Sequence, residues 1–343
     1  MKHRHALFRP RVLAPLAIAA AFGLSAATLS AATVSAATPH AKTATTSTTS
    51  TTSPQPAVPV VPAGFTEHKA AGLDYVIGGH GPTLVLLHGY PETWYEWRAL
   101  LPELSRHYTV IAPSLPGAGK SDAPADGYDK KSMAAAVHTL LRGIGHADDI
   151  RLVGHDIGSM VAYSYAAAHP RDVKKLVLSE APIPDASLYK FPSLTAAGPG
   201  AWNFGFFSLA NGLPEKVVAG REKEWVGGFV DSLEVRKGSV TDDDTAVFAE
   251  ALKDPAHLSA SFKWFRTFPQ DVEDNAVNRR TRLTMPVLAV GASGSLGEAV
   301  PDQVRRYARN VTGVVVPDSG HWIYEERPVK MTALLLSFLG RTS

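Results

Sequence analysis

One carboxylate stands between two glycines at a predicted junction of strand and helix. Residues 154–158 read Gly-His-Asp-Ile-Gly, directly after the apolar run Ile150–Val153 and before a helical stretch. Such a turn is tight, and it lifts its central side chain, Asp156, above the sheet edge at the N-terminus of the next helix. A serine there would need a base, whereas an aspartate is already ionised. Asp156 is therefore predicted to displace a leaving group from saturated carbon and form an ester. The alternative role is a helix N-cap.

Hydrolysis of such an ester requires an oxyanion hole and an activated water. The segment His88-Gly89-Tyr90-Pro91 follows another apolar run. The backbone N–H groups of Tyr90 and Ile157 would together form a two-donor oxyanion hole. His321 lies in a loop after the last apolar run, where it could activate water. The chain has 13 histidines, most of which must be structural, but this one is singled out by its position and by the glycine before it.

These residues need a scaffold, and the apolar runs predict one. The runs are short, apolar throughout and mostly bounded by Gly or Pro, which is typical of buried parallel strands. Helical stretches over Ser132–Leu141 and Ser159–Ala168 alternate with them. The sequence therefore predicts an α/β fold with a mostly parallel sheet covered by helices. The runs are Leu84–Leu87, Tyr108–Ala112, Ile150–Val153, Lys175–Leu178, Val287–Val290 and Val314–Val316.

The alternation of strands and helices stops over residues 181–284. This interval contains aromatic-rich segments around Trp202 and Trp264. An insertion after the carboxyl end of a strand lies over the binding edge of the sheet. We therefore expect an inserted helical lid over 181–284 between two core parts, 64–180 and 285–343. Its aromatic residues either line the pocket or pack the lid's own small core.

Three motifs resemble those of a known group of enzymes. They are His88–Trp97, Leu115–Asp122 and Glu180–Asp185. Over Phe65–Leu339 the chain is similar to the α/β-hydrolase superfamily, in particular to the epoxide hydrolase and haloalkane dehalogenase group. It is most like the secreted bacterial epoxide hydrolases.

The resemblance implies the α/β-hydrolase fold, an Asp nucleophile and hydrolysis of an epoxide. It also implies that the acid orienting His321 is Glu180. The more usual place for this acid, after the next strand, offers no carboxylate until Glu298.

The resemblance further implies two lid side chains that give a proton to the leaving oxygen. Aligned by eye, these positions hold Asn203 and Phe265 here. An amide donates a hydrogen bond but is no acid, and phenylalanine does neither. Tyr189, Trp202 and Trp264 are substitutes nearby in sequence. Tyr90 and Tyr95 are candidates from the core.

Two other functions stay open. A dehalogenase would hold the halide with side chains at the positions of Ile157 and Tyr90, which carry no suitable group here. Arginines that would clamp a small anion are replaced by Ile157 and Met160. A neutral, rather apolar substrate therefore fits better. A catalytically weak ligand-binding α/β-hydrolase is the remaining alternative.

Composition limits the partners. The chain has no cysteine and no His-Glu-x-x-His motif, so neither a metal nor another cofactor is expected. The formal net charge is +2, but all four basic residues of 1–37 lie in an acid-free segment, which leaves the remainder slightly acidic. A nucleic-acid surface is therefore not expected, and the partner is a small-molecule substrate. The sequence does not determine the oligomeric state.

The N-terminal sequence has the pattern of an export signal. Basic residues between Lys2 and Arg11 precede an apolar run from Val12 to about Leu29, and Val34-Ser35-Ala36 fits the small-x-small cleavage rule. We expect a signal peptide over 1–37, a Thr/Ser/Pro-rich linker over 38–63, an exported (periplasmic or secreted) enzyme, and no stable membrane span after processing. The alternative is an anchoring helix that is never cut.

Overall fold

The computed structural model describes residues 58–196 and 198–340. The predicted signal peptide and residues 38–57 of the predicted linker lie outside the described residues. Residues 58–62 have no regular secondary structure, and the first strand begins at Phe65. No helix in the described part of the chain is long and apolar enough to cross a membrane.

In the described part of the chain, eight strands form one sheet in the order β1-β2-β4-β3-β5-β6-β9-β10. All neighbours are parallel except β1 with β2 and β2 with β4. A separate two-stranded pair, β7 and β8, lies between β6 and β9 in the chain. The strands are β1 (Phe65–Ala70), β2 (Leu73–Gly79), β3 (Thr83–Leu87), β4 (Thr109–Pro113), β5 (Ile150–His155), β6 (Val173–Ser179), β7 (Leu194–Thr195), β8 (Gly198–Pro199), β9 (Leu283–Ala292) and β10 (Ala308–Val316).

Both faces of the parallel strands are buried, which is why their sequences are apolar throughout. Leu84 and Leu86 of β3 join one apolar cluster, whereas Val85 and Leu87 join the other, on the opposite face. Successive side chains of a strand point to opposite faces, so a strand covered on both sides must be apolar at every position. The predicted α/β-hydrolase fold is confirmed.

The hairpin β1–β2 was not among the predicted strands. Phe65 is the one buried residue of β1, and the other five are exposed or partly exposed, because this strand lies at the antiparallel edge of the sheet. A search for continuous apolar runs does not detect such a strand.

The helices cover the sheet and fill the interval between β6 and β9. Six of them, α4 to α9, lie in this interval and are called the helical insertion below. The helices are α1 (Leu101–Leu104), α2 (Lys130–Gly143), α3 (Ile157–Ala168), α4 (Trp202–Phe207), α5 (Leu213–Val218), α6 (Glu222–Leu233), α7 (Asp242–Leu252), α8 (Pro255–Arg266), α9 (Phe268–Asn278), α10 (Ala299–Val304), α11 (Ile323–Glu326) and α12 (Pro328–Leu339).

A buried ion pair joins the helical insertion to the core. Lys130, the first residue of α2, lies with its Nζ 2.9 Å from Oδ2 of Asp271 on α9. Its backbone N–H donates to the other carboxylate oxygen at 2.7 Å, and its ammonium also donates to the carbonyl of Trp264. Both charges are buried and hydrogen-bonded, so this contact fixes where α8 and α9 meet the core.

Candidate active site

The turn between β5 and α3 holds Asp156 in a backbone conformation rarely adopted by L-residues, with φ 47° and ψ −122°. The flanking glycines permit it. A Cβ added at Gly154 or at Gly158 would lie closer than 3.0 Å to backbone atoms, of Gly158 in the first case and of Leu87 in the second. Close approach of α3 to β3 and β5 therefore requires both glycines, and it lifts Asp156 above the sheet edge.

Three predicted catalytic side chains come together at this edge. His321 lies with its Nε2 3.5 Å from Oδ2 of Asp156 and its Nδ1 3.3 Å from Oε2 of Glu180. The second oxygen of Glu180 accepts a hydrogen bond from the backbone N–H of Ala292 at 2.6 Å. This arrangement lets Glu180 orient the histidine ring while the other ring nitrogen faces Asp156. Glu298 is exposed, just before α10.

The predicted oxyanion-hole residues lie on either side of Asp156. The backbone N–H of Tyr90 donates to Oδ1 of Asp156 at 3.2 Å. Ile157 is buried and is the first residue of α3. A Cβ at Gly89 would lie 2.7 Å from the Cβ of Asp156, so glycine is needed for the loop after β3 to come this close.

A cavity of about 450 Å³ opens beside Asp156, Glu180 and His321. Its other walls come largely from the segment before α4, from α4 itself, and from the end of α6 with the residues that follow it. Apolar and polar groups both contribute. They include Asn203, Phe204, Phe229, Ser232, Glu234 and Val235.

Of the five predicted pocket residues, Asn203 alone lines this cavity. Tyr189 is 63 % exposed, whereas Trp202 is 36 % exposed and packs its ring against those of Phe207 and Trp225. Trp264 is buried and donates its Nε1–H to the carbonyl of Pro116 at 3.0 Å. Phe265 is buried too, and its ring meets the ring of Tyr90 edge-on with centroids 5.2 Å apart.

The expectation that these four aromatic residues line the pocket is therefore corrected, since within residues 58–196 and 198–340 they lie outside the cavity wall. Trp264 and Phe265 pack the junction between the insertion and the core instead. Sequence analysis could not distinguish the two roles because an aromatic side chain fits either. It also missed Ser232 and Glu234, which reach the cavity only through the packing of α6.

The backbone of His321 is held from two sides. Its N–H donates to the carbonyl of Leu233 in the helical insertion at 3.1 Å. Its carbonyl oxygen lies 2.9 Å from Nε2 of His155 at the end of β5. The preceding residue, Gly320, donates its N–H to the buried carboxylate of Glu326 at 2.9 Å, and Glu326 also accepts from the backbone N–H of Arg236. The histidine loop is thus fixed to both the core and the insertion.

A buried acidic cluster lies behind the site. Glu92, Glu96 and Glu325 are all buried around His155. Burial and the charge of Glu96 raise the pKa of Glu92 to about 8. Burial also raises the pKa values of Glu96 and Glu325. The sequence carried a signal for this cluster, because Glu92 and Glu96 lie four residues apart inside the His88–Trp97 motif.

Two groups among the described residues bring three possible metal ligands within 4.8 Å of one another. In the first, the rings of His138 and His169 stack face to face at 3.7 Å with 3° between their planes, beside Asp172. Lone pairs of imidazoles lie in the ring planes, so parallel stacked rings do not aim at one ion. The second group is Glu92, Glu96 and His155, where both ring nitrogens already face protein oxygens.

The fold and the site agree with comparisons to known proteins. Residues 82–328 match the family described as the alpha/beta hydrolase fold. The chain therefore belongs to the α/β hydrolase fold family. The soluble epoxide hydrolase of Corynebacterium sp. (strain C12) is 32 % identical over 287 residues, which cover 80 % of this chain and 96 % of that protein.

Two solved structures show the same architecture. Cfl2 from Burkholderia cenocepacia is 33 % identical, with a TM-score of 0.76 over 83 % of this chain and 100 % of that one. The Cif epoxide hydrolase from Acinetobacter nosocomialis is 27 % identical, with a TM-score of 0.78 over 82 % of this chain and 91 % of that one. Within its family the chain is an epoxide hydrolase-like hydrolase.

Proposed function

We propose that this chain hydrolyses a small, neutral, rather apolar epoxide through a covalent ester on Asp156. The observation that carries the proposal is the contact of His321 with both Asp156 and Glu180, beside the backbone N–H of Tyr90. The two named epoxide hydrolases similar to this chain support the substrate class.

In the first step a carboxylate oxygen of Asp156 attacks a carbon of the epoxide, and the ring C–O bond breaks. The electron pair of that bond goes to the ring oxygen, which becomes an alkoxide and takes a proton from water. Asn203 lines the cavity and can donate a hydrogen bond to this oxygen. An amide gives no proton, so ring opening receives less acid assistance than a tyrosine or histidine would supply.

In the second step His321 removes a proton from water, and the resulting hydroxide attacks the carbonyl carbon of the ester. The N–H groups of Tyr90 and Ile157 stabilise the oxyanion that forms. Collapse of this intermediate releases the diol, whose leaving oxygen takes the proton from His321. The regenerated carboxyl group of Asp156 gives its proton to the hydroxide left by the first step, which restores the carboxylate. Glu180 stabilises the charged histidine between the two proton transfers.

The charges around the cavity favour neutral substrates. The acidic residues Asp156, Glu180 and Glu234 are among those that line it, and among the described residues that line it none is Lys or Arg. An anionic substrate would meet repulsion here without a cationic clamp. The apolar side chains Phe204, Phe229 and Val235 suit a substrate with hydrocarbon substituents.

The proposal is tested with His321→Gln, which should form the ester but not hydrolyse it. The variant is incubated with a panel of epoxides and alkyl halides, and the intact protein is weighed. A mass increase equal to the whole substrate, absent from His321→Gln/Asp156→Asn, supports an epoxide hydrolase. An increase equal to the substrate minus HX would make the protein a dehalogenase. Absence of any adduct would overturn the covalent mechanism and favour a ligand-binding protein. The amide of Asn203, which cannot give a proton, is the observation that favours this alternative.

We also propose that the helical insertion acts as a lid over the cavity. A separate proposal is that the enzyme is exported by its N-terminal signal. The basic residues and apolar run of 1–37 support export. Expression of the full chain in a related bacterium, followed by mass analysis of protein from the periplasm and medium, tests this. A mature N-terminus just after Ala36 or Ala37 is expected, and an intact Met1 in the membrane fraction would show an anchor instead.

A further inference from the structure

His155 is fully buried directly before Asp156, and both of its ring nitrogens face oxygen atoms. Nε2 lies 2.9 Å from the backbone carbonyl oxygen of His321. Nδ1 lies 3.0 Å from Oε1 of Glu96 and 3.6 Å from Oε2 of Glu92. A carbonyl oxygen can only accept a hydrogen bond, so Nε2 carries a proton.

The state of Nδ1 depends on the buried carboxyl groups around it. Three such groups, those of Glu92, Glu96 and Glu325, cannot all be ionised together in a buried space without compensating charge. Glu96 accepts the backbone N–H of Gly89 with its second oxygen at 3.0 Å, which favours its ionised form. An ionised Glu96 beside Nδ1 favours the protonated, positively charged ring of His155.

The other charges of the cluster are consistent with this distribution. Arg98 lies 2.6 Å from Asp244 and 3.4 Å from Glu325. Its charge compensates that of Asp244, while burial raises the pKa of Glu325 and favours the protonated form of that acid. Glu92 retains its proton near neutral pH, since burial and Glu96 raise its pKa to about 8. Burial alone would lower the pKa of His155, but Glu96 and Glu92 together raise it well above the ordinary value.

We propose that His155 is a positioning residue held as an imidazolium, which fixes the backbone carbonyl of His321 through its Nε2–H and keeps the ring of His321 uncharged through its own positive charge. This inference rests on the proposed function in one respect, namely the role of His321 as the base that activates water.

The electrostatic part follows from distance. The ring centroids of His155 and His321 are 4.9 Å apart, so two positive rings would repel each other. Asp156 and Glu180 both contact His321 and favour its protonated form, which cannot act as a base. The charge of His155 opposes them. The other titratable groups facing the two rings are Glu92, Glu96, Glu325, Tyr324 and His88.

The protonation of His155 can be read in the free enzyme by nitrogen-15 NMR of labelled histidine. Both ring nitrogens of His155 should show the chemical shift of protonated nitrogen from pH 6 to pH 8. The NMR titration of His321 in the same samples gives its pKa in wild type, in His155→Gln and in His155→Gln/Glu96→Gln. The paired variant removes both charges and guards against misfolding of the single one.

Loss of the positive charge should raise the pKa of His321 in His155→Gln, because a nearby like charge has been removed, and should raise it less in the paired variant, which also removes the negative charge of Glu96. The acidic limb of the pH profile for ester hydrolysis should move up by the same amount, while the rate of ester formation changes less. The control His138→Gln replaces a half-buried histidine of α2 outside the site and should leave both measurements unchanged.

A neutral tautomer of His155 at pH 7, or a pKa of His321 unmoved in His155→Gln, would overturn the inference. Both measurements are made without substrate. If wild type formed no ester with any substrate, the proposed function would fail, while the NMR titration would still decide the inference about His155.

Discussion

At the scale of single residues, the conformation of Asp156 is the most demanding feature of the site. A non-glycine residue at φ 47° and ψ −122° is strained by about 1–3 kcal/mol. The surrounding structure imposes this conformation, since β5 ends at His155 and α3 begins at Ile157. The result is a carboxylate whose position is set by its neighbours on both sides before any substrate binds.

Glu180 should be the acid that matters for hydrolysis of the ester. Glu180→Gln is expected to accumulate the ester, because an amide orients His321 but cannot stabilise its charged form. Rapid-quench mass analysis of the protein during turnover measures the ester. Glu298→Gln should behave as wild type, as expected of an exposed side chain before α10. The opposite pattern for the two variants would reassign the acid.

Asn203 should limit the rate of ring opening. Asn203→His introduces a group that can give a proton and should speed ester formation on aliphatic epoxides, by up to about 100-fold. Asn203→Ala should slow it, since the only change is loss of a hydrogen-bond donor. Single-turnover measurements of adduct formation in the His321→Gln background separate this step from hydrolysis. Equal rates in all three proteins would show that another group assists the leaving oxygen.

At the scale of elements, the contact of α3 with β3 fixes the turn that holds Asp156. Gly158→Ala should destabilise the protein by about 1–3 kcal/mol, because its Cβ would overlap the backbone of Leu87. Gly228→Ala, in the exposed part of α6 with open space around its Cα, should stabilise it by about 0.5–1 kcal/mol. Urea unfolding of the two variants tests the pair. A Gly158→Ala variant as stable as wild type would contradict the tight packing described for this turn.

The ion pair of Lys130 and Asp271 should contribute much of the free energy that holds the helical insertion on the core. Lys130→Met leaves the carboxylate of Asp271 buried without its partner, which typically costs about 3–5 kcal/mol. Lys253→Met breaks an exposed pair with Glu250 and should change stability by less than about 1 kcal/mol. Chemical unfolding gives both values. Similar small effects would mean that the aromatic contacts alone hold the insertion.

At the scale of the whole molecule, the buried acids should make stability depend on pH. A carboxyl group with a raised pKa is protonated in the folded state and ionised in the unfolded state between the two pKa values. Stability therefore falls as pH rises through that window. For Glu92 the window runs from its ordinary value of 4.5 to about 8. Asp74 contributes with the same sign, since burial and Glu67 raise its pKa to about 6.

Glu92→Gln should remove its share of this dependence. The stability of the variant relative to wild type is expected to improve by about 3–4 kcal/mol between pH 5 and pH 8. Urea unfolding at both pH values measures the difference. If the free energy of unfolding of the variant instead fell relative to that of wild type as pH rises, Glu92 would be ionised in the folded protein.

The sequence by itself determined the parallel core and the candidate positions of Asp156 and His321, because these depend on local patterns. Strands buried on two faces must be apolar at every position, and a Gly-x-Asp-x-Gly turn between a buried strand and a helix indicates a strand-to-helix junction. Carboxyl ends of parallel strands meet at one edge, so Asp156 and His321 could be grouped from their places after strands. Glu180 was assigned by the resemblance to epoxide hydrolases.

Only the tertiary structure decided which side chains face the cavity and which charges lie together. Trp264 and Phe265 pack the junction of insertion and core, while Ser232 and Glu234 reach the cavity wall. Which side chains face the cavity depends on how the helices of the insertion pack on one another, and no local sequence pattern encodes this packing. In the same way, the proposed positioning role of His155 depends on its contacts with Glu96 and with the carbonyl of His321, which lies 166 residues away in the chain.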